Sequence, residues 1–235
     1  MLNKIFIDIQ KNKKEWLKSK KGSEFEDRIE TSLKQNGFNR IGKDDKNIKP
    51  ILNSIKNSIL DKKSNDIINN IYYKTNKSLG NCFICQPYGS QNFPDFVIFT
   101  NKKIIPIEIK YSSGKSYSPM WNSNLPKANA IYIFGSYGRE DITFFLGCDV
   151  LPMSERDELI NFFSEIKKLE NNFRKKLKEK VKNNNALFDR GFDVYVRRAY
   201  QQDKSINNNA EIDYFSHKNR MYCENSVIKF CESLE

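Results

Sequence analysis

Between Cys82 and Gly147 the chain carries five short runs rich in Ile, Val, Phe and Tyr: CFICQ, DFVIFT, KIIPIEIKYS, AIYIFG and DITFFLG. Branched and aromatic side chains suit a pleated, half-buried surface, and Asn-Lys, Gly-Ser and Gly-Arg-Glu-Asp turns separate several of the runs. The segment therefore reads as strands. DFVIFT and KIIPIEIKY, joined through Asn101-Lys102, predict a hairpin. Pro106 has no N–H to donate, so its place in the second strand must be edge-like or irregular.

Helical patterns flank the extended segment. GSEFEDRIETSLKQNGF places Phe25, Ile29 and Leu33 on one face, with Ser23 as N-cap and Gly37 as the stop. Residues 50–73 predict one or two further amphipathic helices, broken near Asp61. Ser154 with Asp157 resembles a capping box that opens a long helix to about Val181. Its stripe of Phe162, Phe163, Ile166, Leu169, Phe173 and Leu177 predicts packing on a core, with its lysines toward solvent. From Gly191, GFDVYVRRAY returns to extended character, followed by a polar loop, INNNAEID. With no repeat or linker in view, residues 1–235 read as a single α/β domain.

Charge and composition narrow the function. Forty Lys+Arg against 29 Asp+Glu give a net charge of +11, which favours a polyanionic partner, nucleic acid above all. No apolar run approaches the ~20 residues of a membrane span. The sequence after Met1 lacks a signal peptide's apolar region and cleavage site, so the expectation is a cytoplasmic protein that begins there. Five scattered cysteines are expected as reduced thiols. Cys82 and Cys85 form a CxxC, but within a strand-like run and with no second pair at zinc-ligand spacing. The single histidine, His217 in HKNRM, fits neither an HNH nuclease nor a zinc deaminase. Its expected place is on the surface or against a phosphate. Chemistry in this chain then has to run on carboxylates and lysine.

One stretch gathers such groups. Asp95 opens DFVIFT; after 12 intervening residues come Glu108, Ile109 and Lys110. In a strand Glu108 and Lys110 share a face about 7 Å apart, while Ile107 and Ile109 turn to the other. If the two strands pair, Asp95 approaches the same polar face. Two carboxylates offer hard oxygen ligands to Mg²⁺, which is commonly held by only one or two of them. A lysine beside them can position or deprotonate a water and stabilise charge developing on phosphorus. The plainer alternative is an exposed strand face with a cross-strand partner.

Pro94-Asp95 and Glu108-Ile109-Lys110 resemble the two signature elements of the PD-(D/E)xK nucleases, and among these the type II restriction endonucleases. Gln86-Pro-Tyr-Gly-Ser-Gln91 before the motif, and Trp121-Asn122-Ser123 with AIYIFGSYG after it, are similar to segments seen in some of these enzymes. Gly22-Ser-Glu-Phe25-Glu26 resembles the family's initial helix. IYIFGSYG superficially resembles the GIY-YIG nucleases, but the required tyrosine segments are not so arranged; it reads as a strand ending in a glycine turn.

The resemblance implies a restriction-endonuclease-like fold: a central mixed sheet flanked by helices, with the site at one edge of the sheet and a catalytic core over about 22–150. Residues 151–235 would add a helix and a DNA-reading or dimerisation element. It implies Asp95, Glu108 and Lys110 as catalytic residues, Glu26 as an accessory acid, and Mg²⁺ held at Asp95, Glu108 and Ile109, with Mn²⁺ able to substitute. The implied partner is double-stranded DNA, cut at a short specific site by a homodimer with no membrane or nucleotide cofactor, nucleoid-associated in a bacterium. Two other readings stay open: a repair or junction-resolving nuclease with the same chemistry, and a catalytically silent DNA-binding protein.

Overall fold

A computed structural model describes residues 1–60, 68, 79–121, 125–181 and 212–234. All five extended runs are strands: β2 (Cys82–Cys85), β3 (Phe96–Phe99), β4 (Ile104–Ser112), β5 (Ile131–Ser136) and β6 (Asp141–Leu146). A two-residue strand, β1 (Asn39–Arg40), adds outside β2; its polar sequence gave no strand signal. The six lie in chain order. β2, β3 and β4 run as an antiparallel meander, β4 and β5 are parallel, and β6 returns antiparallel to β5, so the sheet is mixed. Thr100 closes the β3–β4 hairpin by accepting the N–H groups of Lys102 and Lys103 at Oγ1. Pro106 pairs with Val97 on one side, whereas β5 pairing begins only at Ile107. The N–H that proline lacks would point to the β5 side, so no ladder bond is lost.

Helices cover both faces. Phe96, Ile98, Ile105, Ile107, Ile109, Ile131 and Ile133 pack against α1 (Leu2–Lys11), Trp16 of the short α2 (Lys13–Trp16), α3 (Gly22–Gln35) and α7 (Arg220–Glu232). Each such side chain removed from water contributes about 2 kcal/mol. The opposite face is covered by α4 (Ile48–Ile59) over Ile84, Val97, Phe99 and Ile104, and by Phe215 and Trp121 over Tyr132, Phe134 and Phe145. The core thus draws on both ends of the chain, through Leu2 and Ile5 of α1 and Val227 and Cys231 of α7. Among the described residues no helix is long and apolar enough to cross a membrane.

Helix ends follow the sequence in part. Gly37 takes φ +85°, and its N–H and that of Phe38 bond the carbonyls of Lys34 and Leu33, closing α3 as expected of a glycine stop. At the other end Lys21, not Ser23, holds the extended cap position; α3 begins at Gly22, so Ser23 lies inside the first turn. α4 ends just before the expected break, and any helix over 61–73 lies outside the described residues, Ile68 excepted.

The long helix α6 (Met153–Val181) differs most from expectation. It starts one residue before Ser154, so Ser154 lies inside the first turn and not at the cap, with its hydroxyl bonded to Glu155. Nor does its stripe pack on the core: Phe162, Leu169 and Phe173 are 55%, 70% and 54% exposed. Both sheet faces already have covers, and among the described residues buried Arg156 ties α6 to the rest of the fold. That guanidinium donates to the carbonyls of Pro126, Gly147 and Leu151. Gly147 opens the short helix α5 (Gly147–Val150), and a Cβ there would stand 1.8 Å from the Lys127 carbonyl oxygen. GFDVYVRRAY, and INNNAEID up to Glu211, lie outside the described residues.

α7 is held by a polar cluster. Arg220 donates to both carboxylate oxygens of Asp141 and to Glu224, and Glu224 also accepts from Thr143 and from Gln10 of α1. A buried carboxylate with this many donors is satisfied rather than stranded.

Candidate active site

The hairpin's register brings the predicted residues together. β3 and β4 pair from Phe99↔Ile104 to Phe96↔Ile107, so one further step sets Asp95 across from Glu108. The ladder stops there. β4 runs on from Glu108 to Ser112 paired with β5 alone, which leaves a notch on its β3 side. Asp95 fills the mouth of that notch: its Oδ2 accepts the Ile109 N–H at 2.6 Å, and its own carbonyl accepts the Gln86 N–H at 2.6 Å. The site therefore sits at strand ends within the sheet, beside the interior strand β4, and not at an outer edge strand.

Ile107 and Ile109 enter the core under α1, α3 and α7, so Glu108 and Lys110 take the opposite face, between the two apolar clusters there. Lys110 Nζ lies 2.8 Å from Glu108 Oε1, and the two side chains are 20% and 14% exposed. Glu108 Oε2 is buried and has no hydrogen-bond partner among the described residues. An unpartnered buried carboxylate oxygen is costly, and such atoms occur where an ion, a water or a substrate belongs.

Electrostatics agree with crowding. Burial, then the neighbouring Glu108 charge, pushes the Asp95 carboxyl up to about 7, with Glu26 adding to the effect and the Ile109 N–H and Lys110 opposing it. Glu26 is also raised, by burial and by the charges of Asp27 and Glu108, while a hydrogen bond with the Gln86 side chain pulls the other way. Glu26 reaches this neighbourhood because the first turn of α3 is pinned to β4. The ring of Phe25 lies tilted against Tyr111, 5.3 Å between centroids and one residue past Lys110, and the Tyr111 hydroxyl donates to the Ser19 carbonyl just ahead of the helix. Two of the other α3 acids face elsewhere, Glu24 toward Lys21 and Glu30 toward Lys34, Arg40 and Cys85.

Asp95, Glu108, Lys110 and the main chain of Ile109 thus converge, with Glu26 at electrostatic range. No three His, Cys, Asp or Glu side chains among the described residues form a ready-made ligand set. Two carboxylates and the stranded Glu108 oxygen fit a cation that keeps most of its waters, as Mg²⁺ does.

His217 is exposed, accepts the Asn219 N–H at Nδ1 and takes no part. Cys82 and Cys85 pack on opposite sides of the sheet, so this CxxC does not converge as a chelate; the Cys85 thiol meets Glu30, and burial and that carboxylate push it up to about 12. Trp121 packs on Tyr132 and Phe145, whereas Asn122 and Ser123 lie outside the described residues.

Gln86 is the contributor whose role sequence reasoning did not assign. It takes φ +45°, holds the Asp95 main chain and touches Glu26 by its side chain. Its only signal was position, in the segment leading to Pro94. Compared with protein-family models, curated proteins and solved structures, the chain finds a match in none of the three.

Proposed function

We propose that this protein is a Mg²⁺-dependent endonuclease of the PD-(D/E)xK kind, a type II restriction enzyme in which two copies cut both strands of a short site in double-stranded DNA. The observation that carries the reading is Glu108: one carboxylate oxygen held by Lys110, the other buried and unpartnered, with Asp95 alongside and raised toward neutrality. A buried carboxylate in a purely structural pair ordinarily has both oxygens hydrogen-bonded. Half of this one is left for something absent from the protein itself. The net charge of +11 suits a phosphodiester polymer as the substrate.

Asp95 and Glu108 are the side chains that would hold the cation, with the main chain of Ile109 beside them. When bound, the cation neutralises the scissile phosphate and lowers the pKa of a water. Lys110, on the same strand face as Glu108, brings fixed positive charge to the phosphate and orients the attacking water. The water oxygen forms the new P–O bond, the bond to the leaving sugar oxygen breaks, and that oxygen takes its proton from solvent. Glu26, held by Gln86, is the nearest further carboxyl able to exchange a proton with the site.

Digestion of one sequenced plasmid tests this directly. Discrete fragments should form with Mg²⁺ or Mn²⁺ and be absent with EDTA. Ca²⁺ should support binding without cutting, because it accepts the same ligands with looser geometry. Full cleavage in EDTA overturns the chemistry; nicked circles or a smear overturn site-specific restriction.

A further inference from the structure

Past Arg156, α6 presents Leu159, Phe162, Ile166, Leu169 and Phe173 at alternating spacings of three and four, the apolar seam of a coiled coil. Phe162, Leu169 and Phe173 are more than half exposed. Single exposed apolar residues are ordinary, but a continuous seam along a helix of 29 residues, about 43 Å long, is not.

The charges beside the seam are segregated along the helix. Before Ile166 stand Glu155, Asp157, Glu158 and Glu165, with the buried Arg156 as the one basic residue. After it come Lys167, Lys168, Arg174, Lys175, Lys176, Lys178 and Lys180, opposed by Glu170 and Glu179. A parallel pair of such helices would set acid against acid and base against base. An antiparallel pair sets each acidic half against the other's basic half.

We infer that α6 docks on α6 of a second copy of this chain, antiparallel and crossing near Ile166. The pattern matches itself reversed. A nucleic acid laid along the helix would meet favourable charge on the basic half and repulsion on the acidic half, and neither contact would cover the apolar seam. The pairing rests on and deepens the two-copy arrangement proposed above, but it needs no metal and no DNA, so its failure would leave the nuclease chemistry of Asp95, Glu108 and Lys110 standing.

Sedimentation equilibrium on the full chain tests it without any cleavage assay. The wild type should have twice the 27.6 kDa chain mass, with association weakening as salt rises. Leu169→Asp should raise the dimer Kd about tenfold or more, since it sets a charge in the seam. Lys175→Glu with Lys176→Glu, and Glu155→Lys with Glu158→Lys, should each weaken self-association. Mixing those two variants should restore the dimer as a heterodimer. These side chains are outside the core, and unchanged circular dichroism and melting will show that the variants fold.

A wild type that stays monomeric at about 100 µM, where a micromolar dimer is largely formed, overturns the inference. So does tighter self-association of either charge-reversed variant, which would mean parallel pairing, or an undiminished dimer in Leu169→Asp.

Discussion

Lys110 holds Glu108 by a single oxygen, at 2.8 Å, and leaves the second oxygen of that carboxylate buried without a partner. The arrangement costs the metal-free fold something, because a buried acceptor is unmet. Glu108→Gln keeps the shape and removes the charge. It should abolish cleavage, by about a thousandfold or more, while raising the melting temperature of the metal-free protein. Plasmid cleavage and a thermal melt on the same sample check both halves; a variant that cuts normally sinks the assignment.

Asp95→Ala and Lys110→Ala should each lower cleavage by about a thousandfold or more, with DNA binding largely kept, since their work is on the cation and the water rather than on holding the polymer. Glu108→Ala should lose cleavage equally and bind DNA somewhat more tightly, one negative charge beside the phosphate having gone. Gel-shift titration in Ca²⁺ separates binding from cutting.

The position of Asp95 predicts a pH dependence. Its carboxyl is raised from 3.8 to about 7. Between those values the folded protein holds a proton that the unfolded chain has released, so this group's contribution makes the metal-free protein less stable as pH rises through the window. The trend levels off above about 7, where both states are ionised. Asp95→Asn should remove the slope. Mg²⁺ binding should show the converse, weakening by up to about tenfold per pH unit below this range and releasing a proton on binding. Calorimetry in two buffers of different ionisation enthalpy reads that proton.

Glu26 feels Glu108 and contributes to the raised Asp95 carboxyl, yet does not complete a three-ligand set. Glu26→Gln should therefore shift the Mg²⁺ concentration for half-maximal cleavage upward by a few-fold, with a smaller effect on the rate at saturating Mg²⁺. Equal turnover at limiting Mg²⁺ would reduce Glu26 to an ordinary helix residue. Gln86→Ala should produce a weaker shift in the same direction.

Much of this was legible in the chain. The period of two in KIIPIEIKY fixed which face Glu108 and Lys110 share, and the hairpin turn at Asn101-Lys102 fixed the register that brings Asp95 to them. Gln86 was not legible, because a loop residue that acts through its backbone conformation and one side-chain contact leaves no periodicity. The two residues of β1 carry no apolar signal, for they sit on the exposed rim. The reading of α6 failed for a different reason. An amphipathic stripe records that a helix has an apolar face, not which surface covers it, and here the sheet's two faces were already taken by other helices.

Gly147 offers a test of the packing behind the site. A Cβ there would lie 1.8 Å from the Lys127 oxygen, and the Lys127 N–H is given to the Tyr132 hydroxyl at 2.8 Å, on the strand beside Glu108. Gly147→Ala should destabilise by about 2 kcal/mol or more, since main chain and not a flexible side chain must yield. Urea denaturation measures it; an unchanged midpoint would show that the 125–130 connection is far more pliant than drawn.

Arg156 and Arg220 fasten the two C-terminal helices by different chemistry. Arg156 gives its protons to main-chain oxygens, which no pH in the working range alters. Arg220 divides its own between the carboxylates of Asp141 and Glu224 and the carbonyls of Phe215 and Ile142, and the Asp141 carboxyl is held below its ordinary value by Arg220 and Lys13 against the opposing effect of burial. The stability this Asp141 contact supplies is complete above 3.8 and disappears as pH falls through the lowered value. The molecule thus has one fastening indifferent to acid and one that acid releases only in part: Arg220 loses its grip on the Asp141 carboxylate but keeps the carbonyls of Ile142 on β6 and of Phe215.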